Sequence, residues 1–161
     1  MRMNKKNLEG KDVSVLDAAI VAGLAAIFLA IATPLIHGAM LRKHTAECAR
    51  KIICAADAFD FYAAAFGCYP QSQRDPQETE KTMRGAFAVY DIDWWRNATE
   101  MGGQWNWYSS RQTSSVVISG DLISDQRMVL LDRLIDDGNL ETGAFQRRGL
   151  RYHYIIKDSM L

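Results

Sequence analysis

From Ala18 to Ile36 the chain reads AAIVAGLAAIFLAIATPLI, 19 residues without a charged side chain. At ~1.5 Å rise per residue such a helix is about 30 Å long, enough to cross a bilayer. A removable secretory signal has a shorter apolar core, roughly 7 to 15 residues, and a small-residue cleavage site after it. Here the apolar run continues into Pro34 and then into a polar helix, which favours an anchor. From Thr45 to Phe66 the pattern becomes amphipathic. Ala49, Ile52, Ile53, Ala56, Phe59, Ala63 and Phe66 recur at helical spacing against Glu47, Arg50, Lys51, Asp57 and Asp60. The expectation is one long helix, transmembrane in its first half and amphipathic in its second, closed by Gly67 as a C-cap and by Pro70.

Beyond Pro70 the elements shorten. Asp75, Pro76 and Glu78 make a helix start with a capping box, predicting a helix to about Val89. Gly102 and Gly103 read as a turn into a strand, where alternation sets Trp105 and Trp107 on one face and Gln104 and Asn106 on the other. Ser115–Ser119 and Leu150–Lys157 are rich in β-branched or aromatic residues and predict two further strands. Asp125–Ile135 has helical periodicity, ended by Asp136, Asp137, Gly138 and Asn139. Helix, short helix, then antiparallel strands is an α+β order.

Charge changes this picture only locally. The chain carries 19 basic and 19 acidic residues, so its global charge gives no reason to expect nucleic acid as a partner. Arg2, Lys5, Lys6 and Lys11 precede the apolar run and Arg42 and Lys43 follow it. The excess before the run places the segment 1–12 in the cytoplasm and the domain 45–161 outside it, on either side of a transmembrane helix 13–44. Cys48, Cys54 and Cys68 fit no CxxC motif and no even-numbered framework. They read as small apolar fillers, with a bridge from Cys68 to a helix cysteine as the alternative.

Two residues of the apolar segment are unusual for a plain anchor. An ionisable Asp17 at the rim of a span calls for a partner or a role, and Pro34 removes a helix hydrogen bond and favours a kink. Val13, Ser14, Val15, Leu16 and Asp17, with Pro34 at its distance behind, make the segment resemble the N-terminal helix of type IV pilins and type II secretion pseudopilins. Phe61, Tyr62, Gly67, Tyr69 and Pro70, then TEMGGQWNW and LLDRLIDDGNLETGAF, extend the resemblance over most of the chain. It implies a pilin-like fold, with the long helix packed on a small antiparallel sheet. It also implies assembly with like subunits and other pseudopilins in the bacterial inner membrane, with Asp17 neutralising a positive group on a neighbouring subunit. The family's prepilin peptidase cuts after a glycine directly before the first hydrophobic residue, a position that Asp12 occupies here. The candidate processing region is therefore Gly10, Lys11, Asp12 and Val13: either Gly10 is used, or the chain stays uncleaved.

Other chemistry is sparse. His37, His44 and His153 are far apart, and no HExxH, HxH, GxSxG, P-loop or dinucleotide motif is present. Asp136, Asp137 and Asn139 offer oxygen ligands of the kind calcium takes, and some pseudopilins hold calcium in a C-terminal loop. The order is not that of an EF-hand, and a helix-capping turn is the favoured reading, with no cofactor expected. The leading expectation is thus a structural subunit, a minor pilin or pseudopilin without enzymatic activity. The alternative is an uncleaved, anchored binding module that uses a tryptophan-rich face.

Overall fold

The computed structural model describes residues 15–121 and 123–158. It is α+β, with helices α1 (Val15–Phe66), α2 (Pro76–Val89) and α3 (Asp125–Ile135) and strands β1 (Gln104–Ser109), β2 (Thr113–Ser119), β3 (Phe145–Arg148) and β4 (Arg151–Asp158). Two compact units divide between Met40 and Leu41. Within the first, α1 is helical straight through Pro34, and Thr33 donates its hydroxyl hydrogen bond back to the Leu29 carbonyl at 2.7 Å.

The second unit is built on an antiparallel sheet of order β1-β2-β4-β3. β1 and β2 form one hairpin, β3 and β4 another, and the two hairpins meet along β2 and β4. Trp107 stands opposite Val116, which stands opposite Tyr154, which in turn faces Phe145. This row belongs to the face that carries the outer half of α1. Along β1, Trp105 and Trp107 are buried and Gln104 is exposed, as the alternation predicts.

The helix meets that face through residues 45, 48, 49, 52, 55, 56, 58 and 59. The buried stripe is rotated from the one expected. Cys48, Ala55 and Ala58 are inside, whereas Ile53 and Phe66 are exposed. A single helical step of about 100° turns Ile53 away from Ile52. Small residues at 48, 49, 55, 56 and 58 let the helix lie close to the tryptophans, and Phe59 projects between them. Its ring stacks on Trp107 at a centroid distance of 3.7 Å and meets Trp95 edge-on at 5.6 Å. Lys51, expected on the polar face, instead reaches inward to pair with Glu100 and lies 5.2 Å above the Trp94 ring.

α2 begins as expected, with the Asp75 carboxylate accepting from the Gln77 N–H at 2.8 Å and Pro76 in the first turn. The reciprocal arm of the capping box is replaced: Glu78 pairs with Lys81 at 2.5 Å. Met83, Ala86 and Phe87 of α2 are buried, and Phe87 closes the aromatic cluster against Trp95 at 5.4 Å. The outer edge of β1 is covered in part by Gln73, whose backbone exchanges two hydrogen bonds with Trp107. That cover masks backbone groups which an edge strand otherwise offers to other chains.

Candidate functional site

The described residues hold two features that need an explanation beyond packing. The first is the apolar half of α1. Every residue from 15 to 31 is exposed, and α1 contains an 18-residue window apolar enough to cross a membrane with none of it buried. Leaving so much apolar surface in water is costly at roughly 25 cal/mol per Å2. Asp17 lies in the first turn of α1, where a negative charge suits the helix dipole, and Pro34 lies inside the helix. Gly10, Lys11, Asp12 and Val13 lie outside the described residues.

The second feature is the turn that follows α3. Asp136 ends the helix, and its Oδ2 accepts from the N–H groups of Ala144 and, at 3.0 Å, Phe145. Asp137 accepts from the Thr142 hydroxyl at 2.7 Å and from the Asn139 N–H at 2.8 Å, which in that order hold its carboxyl below the usual range. Asn139 accepts from the Glu141 N–H at 3.2 Å. All three residues named from the sequence therefore shape the turn, in keeping with a capping role. Gly143 has φ +77°, and a Cβ there would strike the Asp136 carboxylate.

The fold adds a member that the sequence reading passed over. Asp132, one helical turn before Asp136, is completely buried, and neither carboxylate oxygen has a hydrogen-bond partner of normal geometry. Carboxylate oxygens of Asp132, Asp136 and Asp137 all lie within 4.8 Å of one another. Burial, with Asp136 and then Asp137 adding their charge, pushes the Asp132 carboxyl up to about 6, while the Gly138 N–H opposes the shift. The usable signal in the sequence was the spacing itself: positions 132 and 136 share one face at the end of a helix.

A serine beside a base also arises from the fold. Ser115 Oγ lies 2.9 Å from His153 Nδ1 on the sheet face opposite α1. Burial, then Arg148 and Arg151, pushes His153 down to about 4, so the ring is a neutral imidazole near pH 7. Ser115 is 0% exposed and the Tyr108 ring covers His153 edge-on at 5.7 Å. The pair holds β2 to β4 and presents no accessible nucleophile. A cleft of about 340 Å3 is bordered by Asp125, Arg147 and Tyr152. Its carboxylate is already engaged, because Asp125 accepts from both Arg147 and Tyr152.

The tryptophans give no exposed recognition face. Trp94, Trp95, Trp105 and Trp107 are all core residues, and Trp107 donates its indole N–H to the Pro70 carbonyl at 2.9 Å. The surface assumed for the anchored binding module is thus interior, because the side chains that could stack a ligand stack on Phe59 and on one another. All three cysteines are free thiols, with Cys48 buried, Cys54 half-buried and Cys68 exposed. Compared with known proteins, the chain matches no family model, no curated protein and no solved structure.

Proposed function

We propose that this chain is a membrane-anchored structural subunit, a minor pilin or pseudopilin, that enters a helical filament of a type II secretion or type IV pilus-like system. The observation that carries the reading is the apolar half of α1, long enough to span a bilayer and exposed along its length. In this reading the segment sits in the bacterial inner membrane with the residues before it in the cytoplasm. The second unit lies on the outer side. Assembly then exchanges lipid contacts for contacts between helices, and Gly23, Gly38 and the alanines of the apolar half of α1 are the small residues that allow close approach. Asp17 supplies the polar contact to a neighbouring subunit. Prepilin peptidase, like subunits and other pseudopilins are the partners.

The test is the intact mass and N-terminal sequence of the protein from its host's membranes, with and without the peptidase. A peptidase-dependent start at Lys11 or Val13 is the expected result. An N-terminus that is the same in both strains removes the processed-subunit reading. Asp17→Ala separates anchoring from assembly: the variant remains in the membrane fraction but is depleted at least several-fold from crosslinked filament species.

A further inference from the structure

Strands β3 and β4 turn at Gly149 and Leu150, and the apex of this hairpin stands at one end of the second unit. We propose that the apex, with Leu150 at its point and Arg148 and Arg151 on either side, rests on the surface of an anionic lipid bilayer and steadies the second unit against it. The inference rests on the membrane-anchored reading and does not require a filament.

The apex stands at the end of the sheet where α1 enters the second unit. That unit begins at Leu41, close behind Ile36, the last residue of the uncharged run. One helical turn further on, Thr45 is buried and its hydroxyl meets Met101 Sδ at 4.0 Å. Gly102 and Gly103, next in the chain, border one cleft together with Ser119, Leu150 and Arg151. α1 finishes at the opposite end, where Ala63, Gly67 and Cys68 share a cleft with Ser110 and Lys157. Between the two ends β4 covers roughly 20–25 Å from Arg151 to Asp158. With the apolar half of α1 in a bilayer, the end marked by Thr45 and Leu150 is the one nearest the headgroups.

Leu150 is 84% exposed, more than any other large hydrophobic residue described in the second unit. A single exposed leucine is ordinary, but the turn does not ask for this one. Gly149, at φ +66°, supplies the left-handed corner, and the position after such a glycine is usually a polar Asn, Asp or Ser. Cations surround the leucine. Arg148 and Arg151 flank the turn and are exposed, and Arg42 and Lys43, also exposed, stand on α1 just before Thr45. The acids bordering the clefts at the apex are Asp125, which accepts from Arg147 and Tyr152, and Asp121. Asp121 alone is thus set against Arg148 and Arg151. An apolar point between guanidinium groups suits a membrane interface, because the leucine can enter the acyl boundary while the arginines lay their stems along it and keep their forks on phosphate. A two-residue apex is too small for a stable protein interface, which takes roughly 800 Å2 from each partner. A tip tethered beside the bilayer needs only a weak contact, since the anchor supplies a high effective concentration.

The full-length chain is placed in nanodiscs with brominated acyl chains, carrying either phosphatidylglycerol or phosphatidylcholine headgroups. The four native tryptophans are core residues and give a low baseline of quenching. Leu150→Trp is expected to be quenched at least about twofold more in the anionic discs than in the zwitterionic ones. Phe66→Trp, exposed at the far end of α1, remains unquenched in both. Arg148→Gln with Arg151→Gln, added to Leu150→Trp, moves the apex toward water by roughly fivefold for each arginine removed. Tryptophan itself favours interfaces, so hydrogen exchange of the wild-type amides 148–152 supplies an independent reading. Exchange is expected to be slower in anionic than in zwitterionic discs, and the double arginine variant loses the difference. Quenching at position 150 without that slowing belongs to the introduced tryptophan and overturns the proposal. A chain that stays in the disc with position 150 unquenched also overturns it, leaves the anchor standing and turns the apex toward a protein partner. A chain that does not stay with the disc overturns the anchored reading and the proposal with it.

Discussion

His153 shows how the fold sets the chemistry of one residue. Its Nδ1 is tied to Ser115 at 2.9 Å, while burial and the two flanking arginines, Arg148 and Arg151, disfavour the imidazolium. The folded value of about 4 lies below the unfolded 6.5, so between these limits the unfolded chain binds the extra proton. His153 therefore contributes fully above about pH 6.5, and its contribution is lost as pH falls toward 4, by at most about 3 kcal/mol. Asp132 acts with the opposite sign, because its raised carboxyl favours the folded state at low pH and loses that advantage as pH rises through about 6. Urea unfolding at pH 7 and pH 4.5 in an Asp132→Asn background isolates the histidine. His153→Gln is expected to flatten the pH slope there, and an unchanged slope would assign the acid sensitivity to other groups. The environment of neither residue was legible from the sequence, although the spacing of Asp132 and Asp136 put them on one helix face. Ser115 and His153 stand 38 positions apart and meet only when β2 pairs with β4. Asp132 sits in a helical run whose buried face depends on tertiary packing. Asp136, Asp137 and Asn139 were legible because a turn rich in acceptors after a helix has a local cause.

The elements were more readable than their contacts. All three helices, the strands at Trp105 and Val116, and the last strand follow from periodicity and breakers. β3 was missed, because its four residues, FQRR, carry one buried hydrophobic and no alternation to recognise. The last strand begins at Arg151 where Leu150 was expected, since Gly149 and Leu150 form the hairpin turn between β3 and β4. On α1 the sequence pattern treated Phe59 and Phe66 alike, yet Phe59 is 0% exposed and Phe66 68%. The helix is covered only as far as the sheet and α2 reach. Phe59→Ala removes the ring stacked on Trp107 and is expected to cost about 3–5 kcal/mol. Phe66→Ala loses chiefly a ring contact to Tyr62 at 4.5 Å and is expected to cost under about 1 kcal/mol. Urea denaturation followed by tryptophan fluorescence measures both. Equal costs would mean that the buried stripe continues past Phe59.

At the scale of the whole molecule, the two units need different surroundings. The second has a core of its own around Phe59, Trp95 and Trp105, whereas the first exposes Leu24, Ile27, Phe28, Leu29 and Ile31. A bilayer removes that surface from water, and the backbone of a continuous helix can cross it with its hydrogen bonds made internally. Ile27 stands midway between Ala18 and Ile36, where a charge in a spanning helix is most costly. Ile27→Arg should therefore raise the insertion free energy by about 2.5–3.5 kcal/mol, on the order of a hundredfold in the equilibrium. Ile53→Arg provides the matched control, since Ile53 is exposed on the part of α1 that belongs to the second unit. After alkaline extraction of membranes, the Ile27 variant is expected largely in the supernatant, with wild type and the Ile53 variant in the pellet. Retention of all three would show that residue 27 does not lie at the bilayer centre.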